Sequence, residues 1–160
     1  LLQDMGYQVI AYFYNPNIYP LEEYQKRLDA QKILCSHLNC ELIEGEYNPE
    51  AFYNIAKGLE KEPEKGKRCD KCFELRLEKT AQEAKQNGFD YFTTTLTISP
   101  LKDAQKINEI GYELAEEYNA QWLPSDFKKK EGYKRSIELS KTYNLYRQNY
   151  CGCVYSQTNP

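Results

Sequence analysis

Residues 7–16 read YQVIAYFYNP. The aromatic and β-branched run Tyr7–Tyr14 lies between Gly6 and Asn15–Pro16, which predicts a buried strand. The prolines of NPNIYP (15–20) fix their own φ and push their predecessors extended, so the chain leaves this strand through a rigid turn. Downstream, Leu21, Tyr24, Leu28, Ile33 and Leu34 recur roughly at helical spacing and predict a helix to about Leu38. CELIEG (40–45) predicts a short second strand. Pro49 opens a helix to about Leu59, and the charged EKEPEKGK (60–67) forms a loop. A further helix runs from Asp70 to Gln86 and stops at Asn87–Gly88. DYFTTTLT (90–97) predicts a strand, 104–118 a helix, QWLP a short strand, and about 133–143 the last helix. Strands alternating with helices point to an α/β fold with a mostly parallel sheet and helices on both faces, in one domain over residues 1–160. Open sheets bind ligands at the carboxyl ends of their strands, which singles out 15–20 and 95–100. Upstream of the first strand, LLQDMG reads as the tail of a helix closing on Gly6, so the chain is expected to lack its natural beginning.

With 160 residues, 15 Tyr and 6 Phe, the chain can build a real core despite an apolar fraction of 41%. A net charge of −3 excludes a general polyanion binder, so any nucleic-acid contact has to come from a local basic patch. No stretch approaches the ~20 apolar residues of a membrane span, and no signal peptide is visible. Abundant Lys and Glu without a leader set the expected compartment as the cytoplasm. There, closely spaced cysteines are metal-binding or catalytic more often than structural.

The six cysteines fall in pairs. RCDKC (68–72) puts Cys69 and Cys72 three apart near a helix start. Sulfurs at that spacing share a side, and exposed N–H groups together with Arg68 favour thiolates. Zinc, an iron–sulfur cluster and dithiol redox chemistry all fit this pair. In YCGCVYS (150–156), Gly152 lets the backbone fold enough to bring Cys151 and Cys153 within bonding range. So small a loop stabilises little as a staple, and its strained, exposed bridge would favour reversible oxidation. The competing arrangement joins Cys151 and Cys153 to Cys69 and Cys72 around one zinc. Cys35 and Cys40 read as small buried hydrophobes, although His37, the one histidine, between them makes a Cys-x-His-x-x-Cys metal set a second reading.

PSDFKKKEGYKR (124–135) carries five cations and two anions. It reads either as a solvated loop or as a phosphate-binding patch flanked by Phe127 and Tyr133. The hydroxyls of TTTLTISP (93–100) can hydrogen-bond a substrate or simply suit a strand. The absence of a Walker-type loop and of G-x-G-x-x-G weighs against nucleoside triphosphate or dinucleotide use.

Taken in order, FYNPNIYPLEEYQKR, RCDKCFELRLEKTA, FTTTLTISP, PSDFKKKEGYKRSIELSK and LYRQNYCGCVYS resemble the QueH-type epoxyqueuosine reductases from about Tyr12 to Ser156. The resemblance implies a fold similar to the adenine-nucleotide α-hydrolases. It implies reduction of epoxyqueuosine to queuosine at the tRNA wobble position. It further implies a [4Fe–4S] cluster with Cys69 and Cys72 among its four ligands, and a redox-active disulfide at Cys151 and Cys153. The family's first strand and its adjacent cysteine pair have no counterpart in these residues. The chain is therefore expected to hold a cluster poorly alone and to expose apolar surface where that strand would pack. Electrons would come from the Cys151/Cys153 dithiol, restored by an external donor. Lys128, Lys129, Lys130, Lys134 and Arg135 become candidates for the tRNA backbone. The rivals are a zinc-stabilised RNA-binding module without catalysis and a dithiol oxidoreductase acting on proteins.

Overall fold

A computed structural model describes residues 1–157. In chain order its elements are β1 (Ile10–Phe13), α1 (Leu21–His37), β2 (Glu41–Glu44), α2 (Pro49–Ala56), α3 (Lys67–Gln86), α4 (Ala104–Tyr118) and α5 (Gly132–Thr142). Short 3₁₀ turns cover Leu96–Ile98 and Val154–Ser156. The chain forms two compact units, Leu1–Pro49 with Leu139 onward, and Glu50–Glu138. Among the described residues no helix is long and apolar enough to cross a membrane.

In the first unit β1 and β2 pair in parallel, with Ile10 opposite Glu41 and Phe13 opposite Glu44. A parallel pair needs a crossover, and α1 supplies it. Phe13, Ile18, Tyr24 and Leu28 form the core, with Leu42 and Tyr47 packed against them. Tyr24 stacks on Tyr47 at 4.0 Å between centroids, and the Tyr47 hydroxyl donates to the Ile18 carbonyl at 2.6 Å. Each ring therefore contributes apolar area while the Tyr47 hydroxyl keeps a polar partner.

In the second unit α3 and α4 pack around Phe73, Leu77, Ala81, Ile107, Ile110 and Leu114, together with Phe92 and Trp122. Phe92 and Trp122 join in an isolated parallel bridge and meet edge to face at 5.1 Å. The α4 ends follow local rules: the Asp103 side chain accepts from Lys106 N, and Asn119 closes the helix in the left-handed region.

Two expectations change. The mostly parallel sheet is, among the described residues, a two-stranded parallel sheet plus the Phe92–Trp122 bridge. The strand expected over 90–97 does not extend past that bridge, because Thr94 satisfies local backbone instead of continuing a ladder. Thr94 Oγ1 accepts from Leu96 N at 3.1 Å, and Leu96–Ile98 tightens into 3₁₀ geometry. LLQDMG closes as expected for a helix end, with Met5 N on the Leu1 carbonyl, Tyr7 N on the Leu2 carbonyl and Gly6 N on the Gln3 carbonyl, and with Gly6 at φ +93°.

Candidate active site

The Cys151–Gly152–Cys153 loop lies in the first unit, and its backbone is pinned residue by residue. Arg27 of α1 donates through Nη2 to the Tyr150 carbonyl at 3.1 Å and through Nη1 to the Cys151 carbonyl at 2.8 Å. Tyr19 N donates to the Gly152 carbonyl at 2.9 Å. The Cys153 carbonyl accepts from Ser156 N at 3.0 Å and from Ser156 Oγ at 2.8 Å. The Tyr150 hydroxyl reaches back to the Tyr19 carbonyl at 3.0 Å, and its ring faces the Arg27 guanidinium at 5.2 Å. Four successive carbonyls are thus held from within one unit.

Both cysteines are free thiols, Cys151 half-buried and Cys153 buried. A hydrogen bond shared with Cys151 and, second, burial push the Cys153 thiol far above the ordinary thiol range. The expectation of an exposed C-x-C bridge is corrected on this point: Cys153 lies inside, and Gly152 at φ +114° turns the chain where a Cβ would meet Arg27 Nη1 at 2.7 Å.

Arg27 is itself held. Its Nε donates to Glu23 Oε1 at 2.9 Å, with both side chains nearly inaccessible, and the Tyr146 hydroxyl binds the same carboxylate at 2.9 Å. Sequence reasoning missed Glu23 and Arg27, since an i,i+4 Glu–Arg pair normally lies on a solvated face. The signal available was phase: Glu23 and Arg27 alternate with buried Tyr24 and Leu28 along one stripe of α1.

Cys69 and Cys72 lie in the second unit, in the first turns of α3, Cys69 half-buried and Cys72 buried. Cys69 Sγ accepts from Lys65 N at 3.3 Å. Asp70, between the cysteines, pairs with Lys106 of α4 at 3.6 Å. Arg68, expected to favour thiolates, turns instead into the preceding loop and donates to the carbonyls of Leu59, Glu60 and Glu62. Among the described residues no three His, Cys, Asp or Glu side chains converge on a metal position. That removes the Cys35-x-His37-x-x-Cys40 metal set. His37 stacks on Tyr143 at 4.1 Å, Cys35 accepts from Gln31, and Cys40 donates to the Val9 carbonyl.

The basic stretch also lies in the second unit. Lys128 and Lys129 share Asp126 at 3.0 and 3.5 Å, and Lys134 reaches Glu131 at 3.9 Å. The hydrogen bond from Lys128 holds the Asp126 carboxyl below the usual range. Lys130, Lys134 and Arg135, with Glu131 and Glu138, line an open concavity of about 230 Å³. The hydroxyls of Thr93, Thr94 and Thr97 serve the fold: Thr93 Oγ1 donates to the Leu123 carbonyl, Thr94 Oγ1 accepts from Leu96 N, and fully buried Thr97 shares a 3.0 Å bond with Ser125.

Comparison with known proteins agrees with the order of these motifs. The family model described as "Epoxyqueuosine reductase QueH" matches residues 1–159. The chain is 47% identical over 156 residues to the epoxyqueuosine reductase QueH of Staphylococcus epidermidis, covering 92% of this chain and 66% of that protein. It is 46% identical to that of Streptococcus pyogenes, covering 92% and 60%, and 41% identical to that of Thermotoga maritima, covering 91% and 77%. The chain thus spans under two thirds of the length of the first two relatives. By this match over nearly its whole length, the chain belongs to the QueH family.

Proposed function

We propose that this chain carries the reductive centre of an epoxyqueuosine reductase, converting epoxyqueuosine to queuosine at the wobble position of tRNA in the cytoplasm. The supporting observation is the Cys151–Gly152–Cys153 loop, whose thiols share a hydrogen bond on a backbone held at every carbonyl. The balance is simple. Epoxide plus two electrons and two protons becomes alkene plus water. Oxidation of the two thiols to one disulfide releases two electrons and two protons, so dithiol and epoxide together yield disulfide, alkene and water. An external reductant then reopens the bridge by thiol–disulfide exchange.

Cys69 and Cys72 fit as two of the four thiolate ligands of a [4Fe–4S] cluster, being soft donors three residues apart at a helix start. When bound, such a cluster supplies electron relay or Lewis acidity toward an oxygen. The chain's own residues hold the thiol pair, set its protons, and present Lys128, Lys129, Lys130, Lys134 and Arg135 to the tRNA backbone. At the level of fold, we assign the chain to one α/β domain of the adenine-nucleotide α-hydrolase type.

The test uses the full-length enzyme. Cys151→Ser and Cys153→Ser are expected to abolish turnover while iron and sulfide content stays at the wild-type level. Unchanged turnover in either variant removes the pair from the reaction. One zinc, no iron and no reductase activity would identify an RNA-binding module instead.

A further inference from the structure

We infer that Arg27, oriented by Glu23, is the positioning residue that holds the Cys151–Gly152–Cys153 loop in the shape needed for its two sulfurs to meet. The inference rests on the redox reading of that pair, and it adds residues on α1 that the pair depends on.

The guanidinium uses each of its three nitrogens. Nε is anchored on Glu23, while the two terminal nitrogens reach carbonyls of consecutive residues, Tyr150 and Cys151. A lysine ammonium cannot reproduce this, because it is a single point donor without a planar fork. The anchoring is rigid: Arg27 and Glu23 are both 8% exposed, and the Tyr146 hydroxyl bonds both carboxylate oxygens at 2.9 Å. Gly152 completes the fit, since any Cβ at that position would enter the space of Nη1 and the Ile18 side chain. Arg27 reaches the loop through the Tyr150 and Cys151 carbonyls, so its effect on the thiols acts through their geometry.

A thiol loop works through effective concentration. When one thiol is in a mixed disulfide, the second must reach it before solvent thiols do, and misplacement of about 1 Å can cost 10²-fold in such steps. The measurable event is ring closure. A reduced protein meets an aromatic disulfide such as dithiodipyridine. One thiolate attacks, forming a mixed disulfide and releasing one thiopyridone. The other thiol attacks that bond, closes Cys151–Cys153 and releases the second thiopyridone. Two thiols are oxidised and one reagent disulfide is reduced.

Closure is followed in the full chain by acid quench, peptic digestion and mass analysis of the peptide holding Cys151 and Cys153. Thermal unfolding of each variant runs in parallel. Arg27→Gln and Arg27→Lys are expected to slow closure at least about tenfold and to accumulate the mixed disulfide. Failure of lysine to rescue separates the fork from the charge. Closure at the wild-type rate in a folded Arg27 variant, even one with a lowered melting temperature, overturns the assignment and reduces Arg27 to a stability role. Should neither variant fold, Glu23→Gln is read: slowed closure supports the clamp, and wild-type closure overturns it. The two readings fail separately. Turnover surviving Cys151→Ser removes the redox role and leaves the closure result standing, whereas unimpaired closure without Arg27 removes the clamp and leaves the redox role standing.

Discussion

Gly111 shows how a single residue constrains this fold. It lies in α4, where a Cβ would come within 2.2 Å of the Trp122 ring. The ring has little freedom to retreat, since its Nε1 donates to Asn108 Oδ1 at 2.9 Å and its face meets Phe92. Gly111→Ala should therefore destabilise the protein by about 1–3 kcal/mol through overpacking, although alanine is the better helix former. Chemical denaturation checks this, and a variant as stable as the wild type would show that Trp122 can move aside. Glu23 and Arg27 make the opposite point: a buried ion pair adds little over an apolar pair, yet removing one partner leaves an uncompensated charge. Their place in the α1 stripe is accounted for by the Tyr150 and Cys151 carbonyls that Arg27 holds and by the Glu23 carboxylate that orients it.

At the scale of the element, α4 is the case where local rules suffice. Its start has an aspartate whose side chain accepts from the backbone three residues on, and its end has a left-handed asparagine. Asp103→Ala is expected to cost about 1 kcal/mol, read as a lower melting midpoint, with Asp103→Ser restoring most of it. The segment 93–100 is the case where they fail. Threonine suits strands, but the same hydroxyls cap turns, and a partner decides which use prevails. Here Ser125, and the Phe127 backbone N donating to Thr97 Oγ1 at 3.2 Å, fix the turn.

At the scale of the whole molecule, charge is the relevant quantity. With a net −3, this chain can meet a polyanion only through a local patch, and the five cations of 128–135 are partly neutralised by Asp126 and Glu131. Binding of substrate tRNA to the full-length enzyme should weaken steeply with salt. Reversing Lys130 and Arg135 together should flatten the log–log salt slope by roughly 1.5–2, the counterions released by two phosphate contacts. Titrations at several salt concentrations measure the slope; an unchanged value moves the tRNA contact elsewhere.

Read alone, the sequence determined the order of helices, the parallel sense of the first two strands and the close spacing of the cysteines, because periodicity and short spacings are local properties of a chain. The bounds of α4 and the strand at Ile10–Phe13 were legible for that reason. Only the tertiary structure decided where polar groups find their partners. It turned Arg68 away from the Cys69–Cys72 pair to loop carbonyls, enclosed Thr97 against Ser125, and brought Arg27 across 124 residues to the Cys151 carbonyl. The Arg27 and Thr97 bonds join residues remote in sequence, and burial favours satisfying each polar group; no spacing rule along the chain encodes which donor will meet which acceptor.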